Sequence, residues 1–208
     1  MKIKVCGMSS IEQLEQLDKL EVDFAGFIFY EKSARFVGEK LAQHKSAIAN
    51  LQLKRVGVFV NEKIEKIEEL VKEYKLDYVQ LHGDESVFFC KEVEAFAPVI
   101  KAIRIGVDTK LEEYFYNYQD ACTYFLFDTD SKQYGGTGKK FDWSLLKKVQ
   151  IPKPFFLSGG IGPKEADELK IFNHPQLFAI DINSRFEIEP GVKNIPIVTE
   201  FIKKIHSL

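Results

Sequence analysis

Short runs rich in Val, Ile, Phe and Tyr alternate along the chain with longer, charged segments whose apolar residues recur every three or four positions. Runs of the first kind fall at 2–7 (KIKVCG), 23–30 (DFAGFIFY), 55–60 (RVGVFV), 78–82 (YVQLH), 98–104 (PVIKAIR), 124–129 (YFLFDT), 154–158 (PFFLS) and 177–182 (LFAIDI). They are nearly continuous in hydrophobic character, which is the pattern of strands covered on both faces in a parallel sheet. The segments between them, such as 11–20 and the series Ile64, Ile67, Leu70, Val71 and Tyr74, place their apolar residues on one face of a helix. Asn61 before the segment 62–75 and Asp108 before 109–118 are expected N-caps, because a short side-chain oxygen can accept the orphan N–H groups of a first turn.

Eight strands, each followed by a helical segment, predict an α/β fold of the (β/α)8 TIM-barrel type, since closing a parallel sheet on itself leaves no edge to protect. An open doubly wound sheet would call for a glycine-rich turn after the first strand, and Cys6-Gly7-Met8-Ser9-Ser10 supplies a single glycine. No linker, repeat or low-complexity tract divides the sequence, so residues 1–208 are expected to form one domain.

Composition narrows the function more than the fold. With 45% hydrophobic residues in 208, a sizeable core is available. Charged residues make up 29% of the chain but nearly cancel, to a formal −2, so there is no overall field to attract nucleic acid or an anionic membrane. Any anion it binds must be held locally. The first residues are basic but lead into no long apolar stretch, so a signal peptide is not expected, and no run approaches the roughly 18 apolar residues of a membrane span. The three cysteines, Cys6, Cys90 and Cys122, are odd in number and lack metal-ligand spacing. This argues against a disulfide framework or a zinc site and favours a reducing cytoplasm.

In such barrels the reactive groups sit where the strands end in loops at the C-terminal mouth. That position selects Cys6 after the first strand, Arg35 beyond the second, Gln80 and His82 on the fourth, Asp128 on the sixth, Ser158-Gly159-Gly160 on the seventh, and Asp181, Asn183 and Ser184 on the eighth. The glycine turn is the clearest anion signal, because Gly159 and Gly160 let backbone N–H groups close on a ligand, and the loops after strands seven and eight are the usual phosphate position. The bland alternative is a tight turn with no ligand. Cys6 and Asp128 approach the mouth from different sides and can face one bound molecule as an acid–base pair. For this, burial among Phe125 and Phe127 must favour the protonated form of Asp128, and cationic or amide groups must help Cys6 ionise. The alternatives are a small buried thiol and a strand-end cap. His82 serves either an acidic ligand or its own loop. The run Tyr134-Gly135-Gly136-Thr137-Gly138-Lys139-Lys140 lacks the spacing of a phosphate-binding GxxxxGK[ST] loop and is read as a mobile loop at the active site. Cys90 and Cys122, in or beside helical stretches, are read as structural.

Taken in order, Lys4-Val5-Cys6-Gly7-Met8, Gly26-Phe27-Ile28-Phe29-Tyr30 with Lys32-Ser33-Ala34-Arg35, Arg55-Val56-Gly57-Val58-Phe59-Val60-Asn61, and Val79-Gln80-Leu81-His82-Gly83-Asp84-Glu85 resemble the phosphoribosylanthranilate isomerases. Phe127-Asp128-Thr129, the glycine-rich run at 134–139, Phe141-Asp142-Trp143, Leu157-Ser158-Gly159-Gly160 and Ala179-Ile180-Asp181 extend the match along essentially the whole chain. The resemblance implies a cofactor-free enzyme of tryptophan biosynthesis; no metal site is expected from the residues, and the oligomeric state is left open between monomer and homodimer. Its reaction would be the Amadori rearrangement of N-(5-phosphoribosyl)anthranilate to 1-(2-carboxyphenylamino)-1-deoxyribulose 5-phosphate. Carried over position by position, it makes Asp128 the general acid, Cys6 the general base and Arg35 the partner of the anthranilate carboxylate. Backbone groups around Gly159, Gly160, Asp181 and Asn183, with Ser184, would hold the phosphate, and Gln80 and His82 would lie near the ligand.

The sequence departs from the family after the eighth strand, where Asp-x-Ser-Ser-Gly-x-Glu becomes Asp181-Ile182-Asn183-Ser184-Arg185-Phe186-Glu187. Arg185 replaces a glycine, so either the turn differs or a cation is added near the phosphate. Lys193-Asn194 stands where the family often has Lys-Asp, which changes the cap of the last helix. Two other readings compete. Another phosphosugar isomerase or epimerase of the same barrel type would want aspartate, lysine or metal ligands at positions that lack them here. A non-catalytic barrel serving as a binding module would not need Cys6, Asp128, Arg35 and the glycine turn together.

Overall fold

The computed structural model describes residues 1–106, 109–129 and 140–206. Asp108 and the glycine-rich run at 134–139 lie outside the described residues. The expected runs become eight parallel strands: β1 (Lys2–Val5), β2 (Phe24–Ile28), β3 (Lys54–Phe59), β4 (Tyr78–Leu81), β5 (Val99–Ile105), β6 (Tyr124–Thr129), β7 (Phe155–Leu157) and β8 (Leu177–Ile182). They pair in sequence order and β8 pairs back onto β1, closing the barrel. The (β/α)8 TIM-barrel architecture is therefore present as the hydrophobic pattern predicts.

Two cores stabilise it. The larger lies between the strands and the outer ring of helices, built from residues such as Val5, Phe27, Phe125 and Ile180. The smaller fills the barrel itself with Phe24, Val56, Ile100, Ala102, Leu126, Phe156 and Ala179. Its floor is a ring of aromatics from alternate strands. Phe24 of β2, Tyr78 of β4, Tyr124 of β6 and Phe178 of β8 close a cycle with neighbouring centroids 4.6 to 6.0 Å apart. Lys2 Nζ lies 4.6 Å from the Phe178 ring. The end of the barrel opposite the mouth is thus plugged by rings, a layer drawn from every second strand as the barrel geometry requires.

The helices are α1 (Ile11–Lys19), α2 (Lys45–Ala49), α3 (Ile64–Tyr74), α4 (Val87–Glu94), α5 (Leu111–Tyr118), α6 (Ala166–Ile171) and α7 (Ile195–His206). Ser10 and Ser86 cap α1 and α4 by accepting the N–H groups of Gln13 and Phe89. Among the described residues between β6 and β7 there is a 3-10 helix, Trp143–Lys148, and 3-10 turns precede α2 and α6 at Gly38–His44 and Pro163–Glu165. The expected regular α-helix after every strand is therefore not uniform.

The expected Asn61 cap is corrected. Lys63 occupies the N-cap of α3, with no side-chain bond. Asn61 has φ +51, and its Oδ1 accepts the Asp84 N–H at 2.8 Å, tying the loop after β3 to the loop after β4. Asparagine tolerates that left-handed backbone better than most residues. Asn194, in contrast, does cap the last helix: its Oδ1 accepts the Ile197 N–H at 3.3 Å. No helix among the described residues is long and apolar enough to cross a membrane.

Candidate active site

The parity of the strands sets the site. On a strand, residues two apart share a face, so Lys4 and Cys6 share one, as do Gln80 and His82, Leu126 and Asp128, and Asp181 and Asn183. Leu126 and Ala179 belong to the barrel interior, and Asp128 and Asp181, two residues further along their strands, lie nearer the mouth.

On the β1 side, Cys6 is buried, 4% exposed. Lys4 is completely buried and donates from Nζ to Asp181 Oδ1 at 2.8 Å, and β1 and β8 are in register at these two residues. Ser158 donates to the other oxygen of Asp181 at 3.2 Å. Gly26 on β2 leaves the space for this arrangement. A methyl group at its Cα would stand 2.7 Å from Cys6 Sγ and 3.2 Å from Lys4 Nζ. Burial would drag the Lys4 ammonium down, but Asp181 and the Cys6 sulfur outweigh it and hold it above its usual pKa. For Cys6 the balance falls the other way. Burial pushes the thiol up, and the pull of Lys4 and Lys193 does not fully offset it, with Asp181 adding to the rise. The cations expected beside Cys6 are present, yet in the free protein the sulfur holds its proton more tightly than an ordinary thiol.

Across the mouth, Asp128 is held at both oxygens. Oδ1 accepts its neighbour Thr129 N–H at 2.8 Å, and Oδ2 lies 3.2 Å from His82 Nε2. Gln80 Nε2 stands 2.8 Å from His82 Nδ1. With the amide donating, Nδ1 is the acceptor, and a neutral ring carries its proton on Nε2, directed at Asp128. Gln80 Oε1 is buried without a hydrogen-bond partner. Beneath His82, buried Lys101 donates to Glu85 Oε2 at 2.7 Å and to the Gly83 carbonyl at 2.8 Å, which fixes the loop after β4.

Between these halves lies the glycine turn. Gly159 and Gly160 have φ of +80 and +73, where L side chains are strained. A Cβ on Gly159 would come within 2.5 Å of Thr129 Oγ1 and 3.1 Å of Asp128 Oδ1. The turn thus abuts the carboxyl group directly. After β8, Asn183 Oδ1 accepts from Lys193 Nζ at 2.7 Å, and Ser184 opens a 3-10 turn, Ser184–Phe186. Arg185 is not in the left-handed region, so the turn differs from one built on glycine, and its Nη1 lies 3.3 Å from Glu165 Oε1.

Arg35 crosses to the same region. Its Nε and Nη2 donate to the Glu187 carboxylate at 2.7 to 3.0 Å, and Lys193 Nζ donates to Glu187 at 2.6 Å. Burial would raise Glu187, but these two cations outweigh it and hold the carboxyl below its usual range. Lys193, buried in turn, is drawn below its usual value by desolvation despite Glu187. Glu187 begins a small antiparallel pair, β9 (Glu187–Glu189) with β10 (Val192–Lys193), which the sequence pattern did not indicate.

All ten expected site residues therefore gather around the strand ends, while Cys90 and Cys122 are buried elsewhere, in α4 and after α5. Sequence reasoning left Lys4, Glu187 and Lys193 without a role. For Lys4 the signal was available: it lies two residues before Cys6 and so shares its face. For Glu187 and Lys193 no local pattern announced burial. Among the described residues, no cluster of His, Cys, Asp and Glu is arranged to hold a metal ion.

Residues 3–204 match the family described as N-(5'phosphoribosyl)anthranilate (PRA) isomerase. The N-(5'-phosphoribosyl)anthranilate isomerase of Parabacteroides distasonis is 45% identical over 99% of this chain and 93% of its own length. The solved phosphoribosyl anthranilate isomerase of Thermotoga maritima superposes with a TM-score of 0.87 at 33% identity, covering 100% of both chains. A further solved isomerase, described in complex with reduced 1-(o-carboxyphenylamino)-1-deoxyribulose 5-phosphate, superposes at 0.84 with 31% identity over 100% of both chains. On this match of sequence and fold, the chain belongs to the N-(5'-phosphoribosyl)anthranilate isomerase family of tryptophan biosynthesis.

Proposed function

We propose that Cys6 and Asp128 carry the two proton transfers of the Amadori rearrangement at the mouth of this barrel, as base and acid respectively. The observation that carries the reading is an unbroken series of contacts around the strand ends. Cys6 adjoins Lys4, Lys4 pairs with Asp181, Asp181 accepts from Ser158, and Gly159, the next residue, lies against Asp128. The two titrating groups thus flank the turn suited to a phosphate.

In this scheme the phosphate is held by N–H groups around Gly159, Gly160, Asp181 and Asn183, with Ser184, which suits an anion better than any global charge of this chain. Arg35 faces the anthranilate carboxylate. Its pairing with Glu187 fixes the guanidinium through the Nε and Nη2 edge and so sets its direction. Asp128 protonates the furanose ring oxygen, opening the ring to a Schiff base. The Cys6 thiolate then takes the C2′ proton, giving the enolamine that tautomerises to the ketose. Thr129 and His82 pin both oxygens of Asp128, so its aim does not depend on a loose rotamer. The unpartnered Gln80 Oε1 supports a role for Gln80 at a sugar hydroxyl. One proton passes from Asp128 to the ring oxygen and one from C2′ to Cys6; Cys6 then releases its proton to solvent and Asp128 takes one up, so the enzyme is reset with no oxidant or reductant. We place the enzyme in the cytoplasm as a single-domain monomer or homodimer; its three buried free cysteines suit a reducing compartment.

The test is direct. Purified protein mixed with freshly made phosphoribosylanthranilate should speed the loss of its anthranilate fluorescence well beyond spontaneous decay. A rate equal to the spontaneous one would overturn the reading.

A further inference from the structure

Lys4 is a cation sealed inside the barrel beside the sulfur. It is 0% exposed, its Nζ is fixed 2.8 Å from Asp181, and it borders the same Gly26 Cα as Cys6 Sγ. A buried ammonium is costly unless its charge is used. Asp181 matches it one for one, so stability alone would be served as well by two apolar residues. What an apolar pair would not supply is a positive charge next to a group that must become negative.

We propose that Lys4 is a positioning residue for the Cys6 base, a permanently charged ammonium held by Asp181 that stabilises the thiolate in the dry interior when Cys6 gives up its proton. The inference rests on the reading of Cys6 as the base. Lys4 keeps its own proton throughout; the Cys6 proton leaves to solvent before the sulfur accepts the C2′ proton of the substrate. The other charged groups that act on Cys6 are Asp181 from β8, which opposes ionisation, and Lys193 from β10, which favours it less than Lys4 does. Gly26 has a matching purpose, since any side chain there would separate ammonium and sulfur.

Ionisation of Cys6 is read without turnover, from the ultraviolet thiolate band of the protein minus that of its Cys6→Ser variant. Cys90 and Cys122, pushed up by burial to about 11 and about 12, cancel in the difference. Lys4→Met should raise the Cys6 midpoint by about one pH unit or more, which is roughly a tenfold smaller thiolate fraction below it. The pH profile of kcat should move in the same direction while KM changes little. Lys4→Met leaves Asp181 buried and unpaired, so Lys4→Met/Asp181→Asn provides a neutral interior; there too the midpoint should lie above that of the wild type, because Lys4 acts on Cys6 more strongly than Asp181. An unchanged midpoint in either folded variant overturns the proposal, as does loss of folding in both, which would make Lys4 a structural residue first. If Cys6→Ser keeps wild-type turnover, the base reading fails by itself, whereas the titration still reports whether Lys4 governs the sulfur.

Discussion

His82 Nε2 stands 3.2 Å from Asp128 Oδ2, reaching from the end of β4 across β5 to β6. Gln80, two residues earlier on the same face, orients the ring through Nδ1. The three side chains are linked in series to the carboxyl group, so under the proposed roles His82 should act on the reaction through Asp128. Replacing His82 with Ala removes a hydrogen bond that holds Asp128 in place, worth about 0.5–1.5 kcal/mol, and should lower kcat by about 2- to 10-fold with a smaller change in KM. Gln in its place retains a donor near the Nε2 position and should recover part of the loss. Steady-state kinetics of both variants decides it; a wild-type kcat in His82→Ala would show that Asp128 needs no such support.

Gly159 joins the proposed phosphate turn to the proposed acid, Asp128. Ala at this position meets two obstacles at once, a left-handed backbone costing roughly 1–2 kcal/mol and a methyl group 2.5 Å from Thr129 Oγ1. Gly159→Ala should therefore raise KM for phosphorylated substrate and also depress kcat, because displacing Thr129 moves Asp128. An effect confined to KM would separate the turn from the acid.

Arg35 is expected to bind the substrate carboxylate and to leave the proton transfers alone. Arg35→Ala should raise KM by about 10- to 100-fold, the loss of a charge-assisted bidentate contact, with kcat falling less. Arg35→Lys should not restore affinity, since a point charge lacks the planar fork. The kinetic constants of the two variants are the check, and a KM within twofold of wild type would remove Arg35 from the ligand.

Glu187 makes stability sensitive to acid. Its carboxyl is held below the usual value by Arg35 and Lys193 against the opposing effect of burial, so its contribution is present above the unfolded carboxylate pKa and is lost as pH falls through the lower folded value. Asp77, held down by Arg55 and Lys54, behaves in the same way. Glu187→Gln should be less stable than wild type at neutral pH, and the gap should narrow below pH of about 4. Urea unfolding of both proteins across that range measures it; a constant gap would mean that Glu187 stabilises without its charge.

The barrel was legible because its strands are nearly unbroken apolar runs, and the predicted strands at 124–129 and 177–182 coincide with β6 and β8. The site was legible wherever a polar residue ended such a run, as Cys6, His82 and Asp128 do. Lys4 was passed over although it shares a face with Cys6, because a lysine within KIKVCG resembles the solvent-facing half of a strand until closure of the barrel puts that half inside. Glu187 and Lys193 are brought to Arg35 by the β9–β10 pair, whose five residues are too few and too polar to show a periodicity. The 3-10 geometry of Trp143–Lys148 is likewise set by packing, with Trp143 and Leu146 buried, rather than by local preference. Asn61 misled because the asparagine that suits an N-cap also suits a left-handed turn, and here the loop after β4 offered it a backbone N–H first.

The central claim, that Cys6 and Asp128 are base and acid, is tested most directly by kcat of the Cys6→Ser and Asp128→Asn enzymes, each shown to be folded by its unfolding midpoint. Removing a proton-transfer group should cost each of them about 10²- to 10⁴-fold in the fluorescence assay with freshly made phosphoribosylanthranilate. A near-normal rate in either enzyme would contradict the role assigned to that residue.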